Sequence, residues 1–395
     1  MLKSYRYRIY PTKEQKILFE KHFDSTRYIY NVVLERKINA YRNEGISIGE
    51  NEMCKQIGIL RTEIEWLKDV YPNTLKFAIK SAYSAFTYCG RNISEFPQFK
   101  TKKDLKRTFS FEAFTINFEK GVIKVSPLVG GEIKTVFSRI FEDTRGYRSR
   151  KRITISRTTT GKYFASLLID DGKELPTSEP YDQDTTMGID VGLKHFITLS
   201  NGEKVENPRF LKNSLTRLKV LQRRNCKKQI GSKNRKKSRR QVAKLHEKIA
   251  NQRSDFQHKL SAQLISENQA LAVENLNVEG LKQNHKFSQA VSDAAWFTFT
   301  YMLRYKAKWY GKTVIAIGRF EPSTKTCSNC GYYYKDITLG IRKWQCPECG
   351  AMHDRDINAA INIKNFALKI TPGDTGEGLA DSRTKVQGMN QEVTS

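Results

Sequence analysis

The chain has 395 residues, of which 69 are Lys or Arg and 41 are Asp or Glu, so its formal net charge at pH 7 is +28. This length exceeds what one hydrophobic core usually organises, which predicts two or three structural units. No stretch reaches the roughly 18 uncharged apolar residues that a membrane span needs. Charges and Pro11 stand where a secretory signal would be apolar, so we expect a cytoplasmic protein without a membrane partner.

The surplus of positive charge is larger than solubility requires. It suits a polyanionic partner, and nucleic acid is the interpretation that we favour. A basic surface without a specific ligand, a ribosomal role and a membrane-surface role are the alternatives.

The first part of the chain is predicted to be one strand followed by helices. Residues 2–10 alternate basic with aromatic or aliphatic side chains and are ended by Pro11, which is typical of a strand. Apolar residues at helical spacing follow Thr12, and the helical pattern continues through residues 50–92. This region is therefore expected to be mainly helical.

A break at residues 96–100 separates these helices from a small β unit. Alternating Phe, Thr, Ile and Val continue to about Asp170, and the last two strands are expected to form a hairpin that turns near Gly161. After a polar linker, apolar strands alternate with long helices, which indicates an α/β domain. Residues 370–395 have little apolar content and no period, so we expect a disordered tail.

Residues 212–240 form the most basic segment of the chain, with thirteen Lys or Arg and no acidic residue. Leucines recur within it at helical spacing, which predicts a pair of basic helices joined by a loop near Gly231. Such a surface suits phosphate binding, and a solvated charged face is the alternative. The candidate nucleic-acid contacts are Arg223, Arg224, Lys227, Lys228, Arg235, Lys236, Lys237, Arg239 and Arg240.

Acidic residues stand at three predicted strand ends or helix starts that are far apart in sequence. Asp190 lies inside an otherwise apolar strand, and Glu274 follows a short buried strand. Asp354 and Asp356 come directly before a helix. Burying a carboxylate is unfavourable unless a cation compensates its charge. A surface position for Asp190 and a helix-capping role for the last two acids are the alternatives.

Three such carboxylates can meet at one edge of a sheet. There they can hold two Mg²⁺ or Mn²⁺ ions roughly 3.5 to 4 Å apart, which is the arrangement that activates water for phosphodiester hydrolysis. The sequence has no Ser/His/Asp nucleophile set and no GxxxxGK[ST] phosphate loop. These absences argue against acyl transfer and against hydrolysis of nucleoside triphosphates.

Four cysteines form two CxxC pairs, each followed by glycine and separated by fifteen residues: Cys327, Cys330, Cys346 and Cys349. This spacing predicts a tetrahedral zinc ribbon, and a redox pair is the alternative. Because thiolates fill all four positions, one structural Zn²⁺ is expected. The other three cysteines are scattered, which favours a reducing compartment over a disulfide framework.

Taken in order, these motifs resemble the TnpB family, nucleases encoded by small bacterial and archaeal insertion sequences and related to the type V CRISPR effectors. The resemblance covers nearly the whole chain. It rests on the segments YRYRIYPTKEQ, RYIYNVVLERK, PQFK, GIDVGLKHF, HEKIANQRSDFQHKLS, AVENLNVEGL, SDAAWFTFTYMLRYKAKWYGKTV and HDRDINAAINI, together with the cysteine pairs.

The resemblance implies a multi-domain α/β fold in which an RNase H-like, RuvC nuclease domain carries an inserted zinc ribbon. A helical recognition region and a wedge β-barrel precede the nuclease domain. The implied boundaries are 1–10 and 108–175 for the wedge barrel, 11–107 for the recognition region, 182–369 for the nuclease domain, about 322–352 for the ribbon and 370–395 for the tail.

The resemblance also implies that Asp190, Glu274 and Asp356 form the catalytic triad and bind the two Mg²⁺ or Mn²⁺ ions. Asp356 is preferred to Asp354 because the third acid of the family stands two residues before the Asn of its NAA segment, here Asn358.

The implied partners are a guide RNA derived from the transposon end and a double-stranded DNA target, with the protein expected to be a monomer on one RNA. A short motif beside the target would be read before the strands separate, and Lys76 and Lys80 are candidate contacts to it. A solvated helix face is an equal alternative for these lysines. An RNA-guided repressor that does not cut and a transposase that joins DNA ends are the alternative functions.

Overall fold

The computed structural model describes residues 1–102, 107–138, 140, 150–338 and 340–370. The expected disordered tail therefore lies, beyond Ile370, outside the described residues. The chain divides into two compact units, the first spanning Met1–Glu174 and the second beginning at Leu175. Within the described ranges, no helix combines the length and the apolar character that a membrane crossing requires.

The first helix begins directly after Thr12, as the sequence predicted. Thr12 caps this helix, because its Oγ1 accepts a hydrogen bond from Gln15 N while Gln15 Oε1 accepts one from Thr12 N. Gly45, at φ 69°, ends this helix. The helices of the first unit are α1 (Lys13–Glu44), α2 (Glu50–Glu63), α3 (Glu65–Lys68) and α4 (Pro72–Gly90). They share a core that includes Leu34, Met53, Leu67 and Ile79.

The strands of the first unit form one antiparallel sheet. They are β1 (Leu2–Ile9), β2 (Arg107–Phe111), β3 (Thr115–Asn117), β4 (Val122–Lys124), β5 (Glu132–Val136), β6 (Arg150–Arg157) and β7 (Tyr163–Asp170). Their order is β2-β6-β7-β1-β5-β4-β3, so the opening strand pairs with two strands of the later β unit. The predicted hairpin joins β6 to β7, with Gly161 at φ 84°. The pairings described for this part of the chain leave β2 and β3 as edges, so the closed barrel stays a prediction.

The second unit is built on a five-stranded mixed sheet. Its strands are β8 (Thr186–Val191), β9 (His195–Leu199), β10 (Lys204–Glu206), β11 (Ala270–Val273) and β12 (Thr313–Ala316). The order is β10-β9-β8-β11-β12, in which β8, β11 and β12 are parallel while β9 is antiparallel to β8. All four residues of β11 are buried, as expected of a strand covered on both faces.

The helices of the second unit are α5 (Phe210–Cys226), α6 (Lys233–Glu267), α7 (Val278–Gln283), α8 (Ser288–Ala294), α9 (Trp296–Tyr310) and α10 (Arg355–Leu368). A small hairpin of β13 (Lys343–Gln345) and β14 (Met352–Asp354) precedes α10. Leu271 and Val273 share a core with residues of α6 and α9. Ala270 and Ala272 share a second core with residues of α10. Since neighbouring residues of a strand face opposite ways, α10 covers one face of the sheet and α6 with α9 the other.

Gly188 allows α10 to lie directly on β8. A Cβ atom at this position would stand 2.0 Å from the carbonyl oxygen of Ala360 and 2.9 Å from Cβ of Lys364, both of which belong to α10. No side chain fits in that space, so glycine is required by the close approach of helix and strand.

We predict that Gly188→Ala lowers the free energy of unfolding by roughly 3 kcal/mol or more, because the methyl group must displace the backbone of α10. Urea unfolding measures this change. Gly58→Ala is the control, since Gly58 lies inside α2 and a methyl group there would meet nothing within 4 Å, so the change should be neutral or stabilising. Equal stability of Gly188→Ala and wild type would contradict the close packing of α10 on β8.

Candidate functional site

Asp190 and Glu274 lie side by side where two parallel strands end. Ile189 of β8 is paired with Val273 of β11, and each acid is the next residue along its chain. Asp190 has the same parity as Gly188, which touches α10, so its side chain faces the same helix. Two of the three predicted acids thus share one edge and one face of the sheet.

Asp356 reaches the same place from α10. It lies in the first turn of that helix, a correction to the expectation that it precedes the helix. Burial raises the pKa of Asp190 well above its usual value, and the negative charges of Glu274 and Asp356 raise it further. Arg355 and Arg342 oppose this shift. The three acids are therefore close enough to interact electrostatically, and such a group of oxygen ligands suits divalent Mg²⁺ or Mn²⁺.

Two arginines hold the Asp356 carboxylate. Nη1 of Arg342 lies 3.2 and 3.1 Å from its two oxygens, and Arg355 contributes Nη2 at 2.8 Å and Nε at 3.1 Å. Arg342 reaches Asp356 because its carbonyl accepts the backbone N–H of Arg355, which continues the β13–β14 pairing. Neither arginine was predicted as a site residue, since only the folded hairpin brings Arg342 to the acid.

Asp354 has a different role from Asp356. It is the N-cap of α10, and its Oδ1 accepts hydrogen bonds from the backbone N–H groups of Asp356 and Ile357 at 3.1 and 3.3 Å. Its Oδ2 accepts a bond from Nζ of Lys204 at 2.6 Å. Asp354 thus caps the helix and pairs with Lys204, and it is Asp356 whose charge raises the pKa of Asp190, which supports the choice of Asp356 as the third acid of the site.

Glu274 is held by the segment that leads into the ribbon. Ser323, which is only 3% exposed, donates a hydrogen bond from its Oγ to Glu274 Oε1 at 2.7 Å. No local sequence pattern connects these residues, because they are 49 positions apart.

The four predicted cysteines come together. Their sulfur atoms all lie within 4.8 Å of one another, with 3.7 Å between Cys327 and Cys349 and 3.6 Å between Cys330 and Cys346. A tetrahedral zinc with Zn–S bonds of about 2.3 Å requires sulfur atoms about 3.8 Å apart. The cluster fits one structural Zn²⁺ with no open position.

Two side chains support the sulfur cluster from outside. Nε2 of His353 lies 3.0 Å from Cys327 Sγ, and Nδ2 of Asn329 lies 3.5 Å from Cys349 Sγ. The hydrogen bond from Asn329 is the main cause that lowers the pKa of Cys349 to about 6, which favours the thiolate that zinc binds. His353 and Asn329 were missed in the sequence because the zinc-ribbon pattern specifies only the four ligands.

The predicted basic helices are α5 and α6, and Gly231 at φ 85° lies in the turn between them. Eight of the nine candidate contact residues are exposed. The ninth, Arg235, is half-buried and donates from Nη1 to the carbonyl of Lys228 at 2.9 Å, which braces this turn. In the first unit, Lys76 and Lys80 are exposed and one turn apart on α4. These placements are compatible with phosphate binding, and the contacts themselves stay predictions.

The fold and the site together define a multi-domain α/β protein whose second unit carries clustered carboxylates and a four-cysteine ribbon. The solved "Cryo-EM structure of the Cas12f1-sgRNA-target DNA complex" shares this fold, with a TM-score of 0.56 and 16% sequence identity over 90% of this chain and 83% of that chain. A "Putative RNA-guided DNA endonuclease" of Streptomyces pristinaespiralis is 34% identical over 99% of this chain and 96% of its own length. The chain belongs to the TnpB family.

Two more distant relatives also align with most of the chain. The "Putative RNA-guided DNA endonuclease InsQ" of Escherichia coli K12 is 24% identical over 92% of this chain and 91% of its own length. A TnpB-like protein of Acanthamoeba polyphaga mimivirus is 25% identical over 93% of this chain and 74% of its own length.

Three family models match successive parts of the chain. The "Probable transposase" model of IS605 OrfB matches residues 170–285, and the "Cas12f1-like, TNB domain" model matches residues 296–363. The "Helix-turn-helix domain" model of the same OrfB family matches residues 1–45. In this structure those residues form β1 and the single long helix α1, so their fold is a strand and one helix.

We predict that Cys330→Ser lowers both the zinc content and the thermal stability, because three thiolates and a hydroxyl bind zinc less tightly than four thiolates. Elemental analysis and thermal unfolding measure the two effects. Cys226→Ser is the matched control, because Cys226 is exposed and lies outside the cluster. A zinc-free Cys330→Ser protein with wild-type stability would contradict the structural role.

The raised pKa of Asp190 predicts a pH dependence of stability. Burial and the two neighbouring charges favour its protonated form in the metal-free fold relative to the unfolded chain, so the stabilisation is complete below the pKa of an unfolded aspartate. It is lost as the pH rises through the higher folded-state pKa. Thermal unfolding without divalent ions should show this decline in wild type and a smaller decline in Asp190→Asn, which cannot ionise. Identical pH profiles of the two proteins would contradict the shift.

Proposed function

We propose that this chain is an RNA-guided DNA endonuclease that hydrolyses phosphodiester bonds at Asp190, Glu274 and Asp356. The observation that carries the proposal is the convergence of these three acids, from two parallel strands and one helix, on a single edge of the sheet. The relatives named RNA-guided DNA endonucleases support it, because the first of them aligns with 99% of the chain at 34% identity.

We also propose the domain boundaries that the family resemblance implies. Residues 182–369 would form the RuvC nuclease domain, and the β10-β9-β8-β11-β12 order with antiparallel β9 supports an RNase H-like fold for it. The ribbon, at about residues 322–352, would be an insertion between β12 and α10. Residues 1–10 with 108–175 would form the wedge barrel, and residues 11–107 the recognition region.

The chemistry assigns a role to each acid. Two bound Mg²⁺ or Mn²⁺ ions would supply an activated water and stabilise the leaving oxygen of the phosphodiester. Asp190 would bind a cation in its ionised form, so its raised pKa would make metal binding more favourable at higher pH. Glu274 would bind through its carboxylate, which accepts a hydrogen bond from Ser323. Asp356 would bind from the start of α10, where Arg342 and Arg355 balance the negative charge.

The basic surface of α5 and α6 would bind nucleic-acid backbone. A guide RNA from the transposon end would select the double-stranded DNA target by base pairing, while the protein holds the heteroduplex through its phosphates. Lys76 and Lys80 of α4 would contact the short motif beside the target. The protein would act as a monomer on one RNA, in the cytoplasm and at the nucleoid when bound to DNA.

Plasmid cleavage tests the proposal, with the protein purified together with its co-expressed guide RNA. We predict that Asp190→Ala lowers the cleavage rate by roughly a thousandfold or more, because several kcal/mol of transition-state stabilisation are removed. RNA binding in a gel-shift assay should be unchanged, because Asp190 is a proposed metal ligand and the candidate RNA contacts are basic residues of α5, α6 and the turn between them. Asp184→Ala, which removes an exposed acid of the same unit, is the control and should cut like wild type.

The same assay separates the alternatives. Target binding by wild type without any cleavage in Mg²⁺ would favour an RNA-guided repressor. Joined DNA ends in place of double-strand breaks would favour a transposase, the activity named by the family model over residues 170–285.

A further inference from the structure

The buried hydroxyl of Ser323 is bonded to one of the three acids, and the proposed chemistry assigns this hydroxyl no role of its own. Ser323 is only 3% exposed, and its Oγ donates a hydrogen bond to Glu274 Oε1 at 2.7 Å. A buried hydroxyl that donates to a carboxylate restricts rotation of the carboxylate and stabilises its charged form. Both effects prepare Glu274 to bind a cation.

The backbone at Ser323 is itself fixed by two buried asparagines of α10. Asn362, which is 3% exposed, donates from Nδ2 to the carbonyls of Ser323 at 2.7 Å and Thr326 at 2.6 Å. Asn358, which is 1% exposed, donates to the same Thr326 carbonyl at 2.7 Å and accepts the backbone N–H of Ser328 at 2.9 Å. These bonds hold residues 323–328 against the helix.

The other end of this connection is also fixed. The backbone N–H of Ile317 donates to the carbonyl of Val273 at 3.0 Å, directly beside Glu274. The chain that runs from Ile317 to Ser323 therefore leaves the sheet next to Glu274 and returns to the same side chain. This closed path gives Ser323 little freedom to move away.

Holding residues 323–328 in place accounts for the hydrogen bonds of the two asparagines, and it does not account for the bond of the Ser323 hydroxyl to Glu274. Within the part of the chain that the structure describes, the hydrogen bonds of Asn358 and Asn362 go to backbone groups of residues 323–328, so they would hold this segment whatever side chain stood at position 323. The Ser323 hydroxyl adds nothing to that attachment. Its described hydrogen bond is to Glu274.

We propose that Ser323 is a positioning residue for Glu274, and that Asn358 and Asn362 set its place. Through this relay α10 orients two of the three acids: it carries Asp356 in its first turn and fixes Glu274 through Ser323. The inference rests on the proposed metal-binding role of the acids. Residues that orient a metal ligand typically change metal affinity ten- to a hundredfold when they are removed.

Manganese binding tests the relay without any need for cleavage. We predict that Ser323→Ala weakens Mn²⁺ binding to the purified, RNA-free protein roughly ten- to a hundredfold, measured by the paramagnetic resonance signal of free Mn²⁺. Ser323→Thr restores the hydroxyl and should recover most of the affinity. Thr324→Val is the matched control, because it removes the neighbouring half-buried hydroxyl and should leave the affinity unchanged.

A double-mutant cycle tests the link to α10. Asn362→Asp replaces the Nδ2 donor with an oxygen and should weaken Mn²⁺ binding in the same direction as Ser323→Ala. The two effects should be less than additive in the double variant, because both act through Glu274. Thermal unfolding shows whether each variant is folded.

The outcomes separate this inference from the proposed function. Equal Mn²⁺ affinity of wild type and Ser323→Ala, or an equal loss in Thr324→Val, would overturn the relay even if wild type cuts DNA. A wild-type protein that binds Mn²⁺ through the three acids and never cuts would overturn the nuclease proposal and leave the relay standing. In a cutting enzyme, Ser323→Ala should raise the Mg²⁺ concentration for half-maximal cleavage while most of the rate returns at saturating Mg²⁺.

Discussion

The burial of Asp190 beside two further acidic side chains is the constraint that the site of the second unit must satisfy. Asp190 is desolvated and lies beside the charges of Glu274 and Asp356, so the metal-free fold keeps its pKa high. Arg342 and Arg355 compensate part of the negative charge. A divalent cation would compensate the rest, so an arrangement that is unfavourable in isolation would become favourable with metal bound.

One helix brings the parts of this site together. Gly188 lets α10 approach β8 closely enough for Asp356 to stand near Asp190. Asp354 caps the same helix and fixes its first turn. Asn358 and Asn362, one and two turns further along α10, attach the chain that enters the ribbon to this helix. The chain that enters the cysteine cluster is thus attached, through α10, to the edge of the sheet that carries the three acids.

Much of this could be predicted from local sequence patterns. Alternating apolar residues identified β1 and β8, helical spacing identified the basic helices α5 and α6, and the spacing of the two CxxC pairs identified the cysteine cluster. Contacts between residues far apart in sequence could not be predicted, because no periodic pattern encodes them. Arg342 with Asp356 and Ser323 with Glu274 depend on how the ribbon folds back. The distinct roles of Asp354 and Asp356 could likewise be assigned only once the first residue of α10 was known.

Anomalous diffraction from crystals grown with Mn²⁺ shows directly whether the three acids bind divalent ions, because it locates the ions without reference to activity. We expect two anomalous peaks roughly 3.5 to 4 Å apart, with oxygens of Asp190, Glu274 and Asp356 bound to one or both of them. Peaks only elsewhere in the protein, or a pair of ions to which any of these three side chains is not bound, would contradict a two-ion site shared by the three acids.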